Sequence, residues 1–231
     1  SRSTEMAFTD LAGACNGVTV TACSPLIRNC VFEYNNIGLH CADRGNARVY
    51  NCVFARNSSS GVRIRKANPV FYNNIVALNR NSGVWSDGIS QVTFMYNCLF
   101  GNPEGDLLDC DPELGVVRRV NSRKDSTDYA FNLFRDPVFA GSRADSLAVE
   151  RDISLPTDRS RVADTVVARI INDSLPDSLA ARRRAGTYAR YSLSSYSPCI
   201  DAGHPRKEFR DTDGSANDMG IFGGPEFFVE K

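Results

Sequence analysis

Short apolar runs, each bounded by asparagine, glycine or serine, recur along residues 25–102 of this sequence. The repeated tetrapeptides are Asn29–Phe32, Asn51–Phe54, Asn73–Val76 and Asn97–Phe100, at intervals of 22, 22 and 24 residues. A glycine followed by a short alternating run keeps the same step, at Gly17, Gly38, Gly61 and Gly83. A period of this size indicates a solenoid, and runs of β-branched and aromatic residues without helical periodicity indicate strands. We therefore predict an all-β solenoid of about five to six turns.

Alternation within the runs predicts which side chains face the interior of the solenoid. After each glycine the predicted inward pairs are Val18 and Val20, Leu39 and Cys41, Val62 and Ile64, and Val84 and Ser86. Two further predicted inward sets are Ile27, Val49 and Phe71, and Phe32, Phe54, Val76 and Phe100. Two outward rows follow from the same alternation, Thr19, His40, Arg63 and Trp85, and Thr21, Ala42, Arg65 and Asp87. Equivalent positions should stack into one continuous core with two exposed rows on one face.

Asparagine and cysteine recur at the corners of the repeat. Asparagine tolerates the left-handed backbone of a turn, and its amide can bond to the turns above and below, so we assign it to the scaffold. The predicted ladders are Asn29, Asn51, Asn73 and Asn97, and Asn35, Asn57, Asn79 and Asn102. Beside the first ladder, the predicted column of buried thiols is Cys30, Cys52 and Cys98, with Asn74 filling the gap. Stacked thiols that point the same way are poorly placed for disulfides.

Two points about these columns stay open at this level. Either the ladder amides or the adjacent cysteine column points inward. The cysteines free to pair with one another are Cys15, Cys23, Cys41, Cys110 and Cys199. None of the cysteines has the spacing of a zinc site.

The repeat divides the chain into four predicted segments. They are a polar lead-in that caps the open end at 1–16, turns at 17–140, an insertion at 141–190, and a last turn with a C-terminal cap at 191–231. Residues 132–139 are predicted to form one further turn after a loop at 110–130. The insertion carries an apolar stripe of helical spacing from Val162 to Ile171 and a helix-start pattern at Ser174. We expect it to be partly helical and to lie outside the coil.

The charges of the 231 residues balance, with 27 Lys and Arg against 27 Asp and Glu. A balanced surface provides no general attraction for nucleic acid, which is therefore not an expected partner. No apolar run approaches the length of about 18 residues that indicates a membrane helix, so no direct membrane span is expected. Residues 1–10 lack the pattern of a secretory signal. We favour a signal that has been removed, and hence a secreted or cell-surface protein.

Two groups of residues resemble a known family. The tetrapeptides and glycine runs are similar to the turns of right-handed parallel β-helix repeat proteins, the pectate-lyase-like group. The segments Asp136–Phe139, Ser197–Gly203 and Asp211–Gly224 resemble the C-terminal module of secreted bacterial members of that group. The resemblance implies a right-handed parallel β-helix with an external, partly helical insertion, in an exported protein. It leaves the activity open, because the group includes lyases, hydrolases, epimerases and proteins without known chemistry.

The outward face with His40, Arg63, Arg65, Trp85 and Asp87 is the first candidate binding surface. An indole can stack on a sugar ring while arginines contact its anionic groups. Enzymes of the pectate-lyase-like group place their groove on such a face, where clustered acids bind calcium and a basic residue removes a proton. The acids are not clustered here. We expect a polysaccharide or another cell-surface protein as the partner, with the insertion at 141–190 as a second place for a protein contact.

Asp211, Asp213 and Asp218 form the second candidate site, because oxygen ligands around a glycine are typical of calcium sites. The alternative is a hydrogen-bonded turn in which these acids cap backbone amides. No other cofactor is expected, since phosphate-loop, dinucleotide and nucleophile motifs are missing from the sequence. The absence of an acid cluster favours a non-catalytic binding or scaffold module, and the alternative function is a polyuronate lyase or epimerase, with catalytic residues not assigned.

Overall fold

Three short strands make up each turn of the chain. The computed structural model describes residues 5–140 and 186–225. The strands of the turns are, in chain order, β1 (Glu5–Ala7), β2 (Asp10–Ala12), β3 (Asn16–Thr21), β4 (Leu26–Arg28), β5 (Val31–Glu33), β6 (Ile37–Ala42), β7 (Arg48–Tyr50), β8 (Val53–Ala55), β9 (Ser60–Arg65), β10 (Val70–Tyr72), β11 (Ile75–Ala77), β12 (Ser82–Trp85), β13 (Thr93–Met95), β14 (Cys98–Phe100) and β15 (Gly105–Leu108).

Each strand pairs in parallel with its equivalent one turn away, which produces three five-stranded sheets. Sheet 1 contains β1, β4, β7, β10 and β13. Sheet 2 contains β2, β5, β8, β11 and β14, and sheet 3 contains β3, β6, β9, β12 and β15. The chain is therefore an all-β parallel solenoid of about five turns, as the repeat predicted.

Columns of equivalent apolar side chains fill the interior. The buried members after the glycines are Val18, Val20, Leu39, Cys41, Val62, Ile64 and Val84. The column from sheet 1 is Ile27, Val49, Phe71 and Phe94, and the column from sheet 2 is Leu11, Phe32, Phe54, Val76 and Leu99. Phe32 and Phe54 stack with their ring centroids 4.6 Å apart. The inward positions predicted after the glycines and for sheet 1 are confirmed.

The fourth turn contains one residue more than the turns before it. Ile75 pairs with Val53, 22 residues earlier, but with Cys98, 23 residues later. The extra residue lies in the loop between Trp85 and Thr93, because sheet 3 still keeps the shorter offset before that loop. A slip of one residue in a strand moves every following side chain to the other face.

This slip overturns three predicted alignments. Leu99 fills the inward column of sheet 2, whereas Phe100 lies on the outer side. Asn97 aligns with Asn74 rather than with Asn73, since its amide oxygen accepts the Asn74 backbone N–H at 2.9 Å. Cys98 faces outward, away from the interior thiols, and the predicted column of three cysteines is wrong.

The inward ladder at the first corner consists of Cys30, Cys52, Asn74, Asn97 and Asn132. The Asn74 side-chain amide donates to the Val49 carbonyl at 2.9 Å, and the two later amides repeat this bond to the carbonyls of sheet 1. The thiols of Cys30 and Cys52 occupy the same place, 3.8 Å from the equivalent carbonyl oxygens. The column next to the αL asparagines therefore points inward, which answers the question that the sequence left open.

The second ladder is confirmed as scaffold. Its members Asn35, Asn57, Asn79 and Asn102 are all buried. Asn57 donates through its amide to the Phe32 carbonyl at 3.0 Å and to Asn79 Oδ1 at 2.8 Å. The glycine column beside it allows close packing, since a Cβ on Gly38 would lie 2.5 Å from the Gly61 carbonyl oxygen.

The two ends of the repeat differ from the predicted segments. Residues 5–12 already form β1 and β2 of the first turn instead of a separate lead-in. After β15 the chain makes a short antiparallel hairpin of β16 (Arg119–Val120) and β17 (Ser126–Thr127). Leu133 then adds one parallel bridge to Cys98, whereas Phe139 leaves the coil and pairs with Leu193 in the antiparallel direction. The further turn expected at 132–139 is thus only begun.

The C-terminal segment, residues 186–225, lies along the outer face of sheet 2 instead of forming a last turn. It contains helical residues at 186–190 and a 3₁₀ helix at Lys207–Phe209. The buried cluster between the two surfaces includes Val31, Val53, Ala55, Ile75, Ala77, Cys98, Tyr191, Cys199, Ala202, Met219 and Ile221. Strands buried on both faces are continuously apolar, which explains the sequences VFA and IVA of β8 and β11. The predicted helical stripe at 162–171 and helix start at Ser174 lie outside the described residues.

Candidate binding surface on the third sheet

The first candidate surface lies on the outer face of sheet 3, where β6, β9 and β12 place three unlike side chains side by side. His40 pairs with Arg63, and Arg63 pairs with Trp85, in the parallel register of the sheet. These three residues are called the outer row below. Because neighbouring strands lie about 4.8 Å apart, the outer row extends over about 10 Å along the solenoid axis. The register thus brings together the row that alternation predicted.

Arg63 and Trp85 are in direct contact. The guanidinium carbon of Arg63 lies 4.7 Å from the centroid of the indole ring. Arg63 is exposed, whereas Trp85 is half-buried. A cation over an indole face at an exposed site stabilises the pair by about 0.5–1 kcal/mol. The contact therefore holds the guanidinium above the sheet, with the ring edge and the guanidinium N–H groups facing solvent.

Arg65 lies in the second row, one position beyond Arg63 along β9. Its Nη2 is 3.5 Å from Asp43 Oδ2, and both side chains are about half exposed, at 55% and 51%. An exposed ion pair of this kind contributes about 0–1 kcal/mol. Arg65 can therefore exchange this partner for an anionic ligand at little cost.

His40 stands beside these arginines at the edge of the core. Burial lowers the pKa of its imidazole, and the positive charges of Arg63 and Arg65 lower it further, against a smaller opposing effect of Asp43. The ring is therefore neutral at pH 7. A neutral imidazole can both donate and accept a hydrogen bond, which suits it to contact a hydroxyl group.

Asp87 does not present a free carboxylate to this surface. Its side chain accepts the backbone N–H groups of Lys66 at 2.7 Å, Ser90 at 2.9 Å and Ile89 at 3.2 Å. Burial raises the pKa of Asp87, but the bonds from Ser90, Lys66 and Ile89 outweigh it and leave the pKa lowered. The carboxylate thus holds the turn that follows β12.

The charge of this face is consequently positive. Its basic side chains, in sheet 3 and the turn after it, are Arg44, Arg63, Arg65 and Lys66, all exposed. The carboxylates beside them are Asp43 and Asp87, of which one is bonded to backbone amides. An anionic ligand is favoured here over a cation.

The acids of the second candidate site act within the C-terminal segment. Asp211 Oδ1 accepts the Gly224 N–H at 2.6 Å, and Oδ2 accepts the Asp218 N–H at 3.1 Å. Asp213 Oδ1 accepts the N–H and the hydroxyl of Ser215 at 2.9 and 2.6 Å. Among residues 5–140 and 186–225, no group of three or more His, Cys, Asp or Glu side chains is arranged to hold a metal ion. The calcium site stays a prediction, and the bonds seen are those of the capped turn.

The pKa values of these acids differ with their surroundings. Burial raises the pKa of Asp211 to about 7, and the charge of Asp218 adds to this effect. Burial likewise raises the pKa of Asp218. The bonds from Ser215 lower the pKa of the exposed Asp213.

Sequence reasoning missed the residues that attach the C-terminal segment to the solenoid. Asn29, Asn51 and Asn73 adopt positive φ values of 49°, 51° and 60°, as the corner requires. Their amides, however, bond to the C-terminal segment rather than to neighbouring turns: Asn29 donates to the Ile221 and Gly223 carbonyls at 2.9 Å each. The signal available was the apolar outer face of sheet 2, which must be covered by another part of the chain.

An ion pair anchors the other end of the same segment. The Glu33 carboxylate, which is 4% exposed, accepts two bonds from Arg190 Nη1, at 2.7 and 3.0 Å, and one from the Tyr191 hydroxyl at 2.7 Å. Thr187 adds a bond from its hydroxyl to Asp10 at 2.9 Å. The sequence offered no local pattern for these contacts, because the partners are more than 150 residues apart.

Comparison with known proteins agrees with the fold. Residues 5–117 match a family model described as right handed beta helix region, which covers all the turns. Searches of curated proteins and of solved structures found no match. Within the described ranges, no helix is long and apolar enough to cross a membrane. Such a fold supports a carbohydrate-related or surface protein at most and does not separate an enzyme from a binding protein. The turns of this chain carry the sequence pattern of a right-handed β-helix, and the chain folds as one.

Proposed function

We propose that this protein is a secreted or cell-surface β-helix module that binds an acidic polysaccharide on the outer face of sheet 3, without catalysing a reaction. The observation that carries the proposal is the outer row, in which Arg63 lies over the Trp85 ring next to a neutral His40. An aromatic ring, fixed cations and a neutral hydrogen-bonding group are the groups that recognise an anionic sugar.

The repeat of the fold suits a polymer as the ligand. Equivalent positions recur about every 4.8 Å along the axis, so the outer row spans the length of roughly two sugar units. Arg65 widens the row on one side, and its exposed partner Asp43 can be displaced. A chain with one carboxylate on each sugar would meet a cation on successive turns.

The arrangement of acids supports a binding role over catalysis. Glycoside hydrolysis needs two free carboxylates about 5–9 Å apart, and a calcium-bridged lyase needs a cluster of acids. Asp87 is bonded to three backbone N–H groups, and Asp43 pairs with Arg65. On the described part of this face, neither carboxylate is part of an acid cluster.

A polyuronate lyase or epimerase is the second candidate function. It is favoured by one observation, the neutral imidazole of His40 between two arginines, since such a group can accept a proton from a sugar whose carboxylate is held by cations. The insertion at 141–190 is proposed as a contact for a protein partner in either case.

Affinity electrophoresis in gels that contain polygalacturonate tests the binding role. Wild-type protein should be retarded, and Arg63→Ala combined with Arg65→Ala should weaken the affinity by about tenfold or more, because charge-assisted contacts are lost. Arg48→Ala is the matched control, since Arg48 is an equally exposed arginine on the outer face of sheet 1. Equal retardation of the double variant and the control would refute the proposed surface.

The same polymer distinguishes the two functions. A lyase would release unsaturated uronates, which are detected by their ultraviolet absorbance, and an epimerase would change the proton NMR spectrum of the polymer. Binding without either change supports the non-catalytic module. Product formation that is lost in Arg63→Ala would establish the enzyme instead.

A further inference from the structure

Cys98 and Cys199 meet across the interface between sheet 2 and the C-terminal segment. Cys98 projects outward from β14, and Cys199 lies in the segment that covers it. Both residues are fully buried, and their thiols are hydrogen-bonded to each other. The two sulfurs thus approach from opposite sides of one packed interface.

The backbone around Cys199 is fixed by several bonds. Its N–H donates to Ser197 Oγ at 3.1 Å, and the Ser197 hydroxyl donates to the Pro137 carbonyl at 2.6 Å. Its carbonyl accepts the Met219 N–H at 2.9 Å. Cys199 is therefore held against Cys98 by contacts other than the thiols themselves.

Cys30 and Cys52 provide a contrast within the same protein. Their thiols are also in contact, but both side chains project inward from adjacent parallel strands. Each thiol lies close to a carbonyl two residues earlier, at 3.1 Å for Cys30 and 3.3 Å for Cys52. A disulfide needs Cβ atoms that face each other, and stacked side chains that point the same way do not provide this.

We propose that Cys98 and Cys199 form a disulfide that ties the C-terminal segment to the solenoid. An external disulfide, such as oxidised glutathione, would accept the electrons. The Cys98 thiolate attacks one sulfur of that disulfide and releases one thiol, and the Cys199 thiolate then displaces the second. Two protein thiols become one S–S bond, and the external disulfide is reduced to two thiols that carry the two protons.

The surroundings favour closure while the segment docks and protect the bond afterwards. The contact with Cys199 and burial raise the pKa of the Cys98 thiol, so the folded protein holds it as the unreactive thiol. Exchange therefore has to take place before burial is complete. Once formed, the bond is out of reach of soluble reductants.

The bond would close a loop of about 100 residues, which is the range in which a cross-link restricts the unfolded chain most strongly. It would act together with the Glu33–Arg190 pair and the Asn29 amide, which hold the same segment. Structural disulfides persist in oxidising compartments. The proposal does not depend on polysaccharide binding by sheet 3.

Differential alkylation of the full chain tests the proposal. The protein is incubated with oxidised glutathione, denatured without reductant and treated with one alkylating label, then reduced and treated with a second label. Peptide mass spectrometry should find the second label on Cys98 and Cys199, and the first label on Cys30 and Cys52. The first label on Cys98 or Cys199, or a bond from either to another cysteine, would overturn the proposal.

Thermal unfolding gives an independent measurement. Reduction of the oxidised wild type should lower Tm by roughly 5–15 °C, the shift expected when a protein of this size loses a native disulfide. Cys199→Ala should unfold at the same temperature with and without reductant, whereas Cys52→Ala should keep the wild-type response. A wild-type Tm that does not change on reduction would contradict the cross-link.

Discussion

Replacement of Asn79 by alanine tests the asparagine ladder that joins the turns. Asn79 is buried, and its amide donates to the Phe54 carbonyl at 3.1 Å and to Asn102 Oδ1 at 3.0 Å. Its Oδ1 accepts the backbone N–H of Asn57 at 3.1 Å and the Asn57 amide at 2.8 Å. Asn79 therefore links three successive turns through one side chain.

The cost of Asn79→Ala follows from the groups that lose a partner. The Asn57 backbone N–H is left buried without its acceptor, which costs about 1–3 kcal/mol. The Phe54 carbonyl and the Asn102 side chain each lose one bond, at about 0.5–1.5 kcal/mol each. The Asn57 amide keeps its bond to Phe32, so its loss is small. We expect the free energy of unfolding to fall by roughly 2–5 kcal/mol.

Urea unfolding followed by circular dichroism measures this change. The matched control is Asn81→Ala, since Asn81 is half-buried and its backbone N–H keeps the bond to the Ser59 carbonyl in the variant. The control should change the free energy of unfolding by less than about 0.5 kcal/mol. Equal midpoints for the two variants would show that the ladder amides do not stabilise the coil.

Three further predictions concern the C-terminal segment and the binding surface. Glu33→Gln should weaken the docking of residues 186–191 by roughly 1–3 kcal/mol, because a buried charged partner is lost; hydrogen exchange should then accelerate in that segment but not in sheet 3, and unchanged exchange would count against the anchor. Since the pKa of Asp211 is raised to about 7 in the folded protein, against an ordinary value of 3.8, the folded state binds this proton more tightly, and stability should fall as the pH rises from about 4 to about 7. Asp211→Asn should flatten this dependence of Tm on pH, and parallel curves for variant and wild type would refute it. Binding of polygalacturonate should weaken as salt is added, because the arginine contacts are exposed, and salt-independent binding would exclude them.

The turns could be predicted from the sequence because their information is local and repeated. The glycine runs and asparagine corners return at nearly constant intervals, and alternation then assigned Leu39, Val62 and Val84 to the core. The outer row could be predicted in the same way, since His40, Arg63 and Trp85 lie before the extra residue of the fourth turn.

The errors arose where the repeat changed or where distant segments meet. One additional residue after Trp85 moved Cys98 to the outer face, and the tetrapeptide match was too short to show this. The bonds of Asn29 to the C-terminal segment connect residues 192 and 194 positions apart, for which a single sequence provides no periodic signal. The stack of Arg63 on Trp85 required side-chain positions, although the register had placed the two residues side by side.

Fluorescence of Trp85 tests the central proposal most directly, because the chain contains one tryptophan and it lies in the outer row. Titration with polygalacturonate should shift the emission in a saturable manner, and a neutral polymer such as dextran should leave it unchanged. The Arg63→Ala, Arg65→Ala double variant should respond weakly, whereas Arg48→Ala should respond as the wild type does. Emission of the folded wild type that stays constant with acidic polysaccharides would contradict the proposal that sheet 3 is the binding surface.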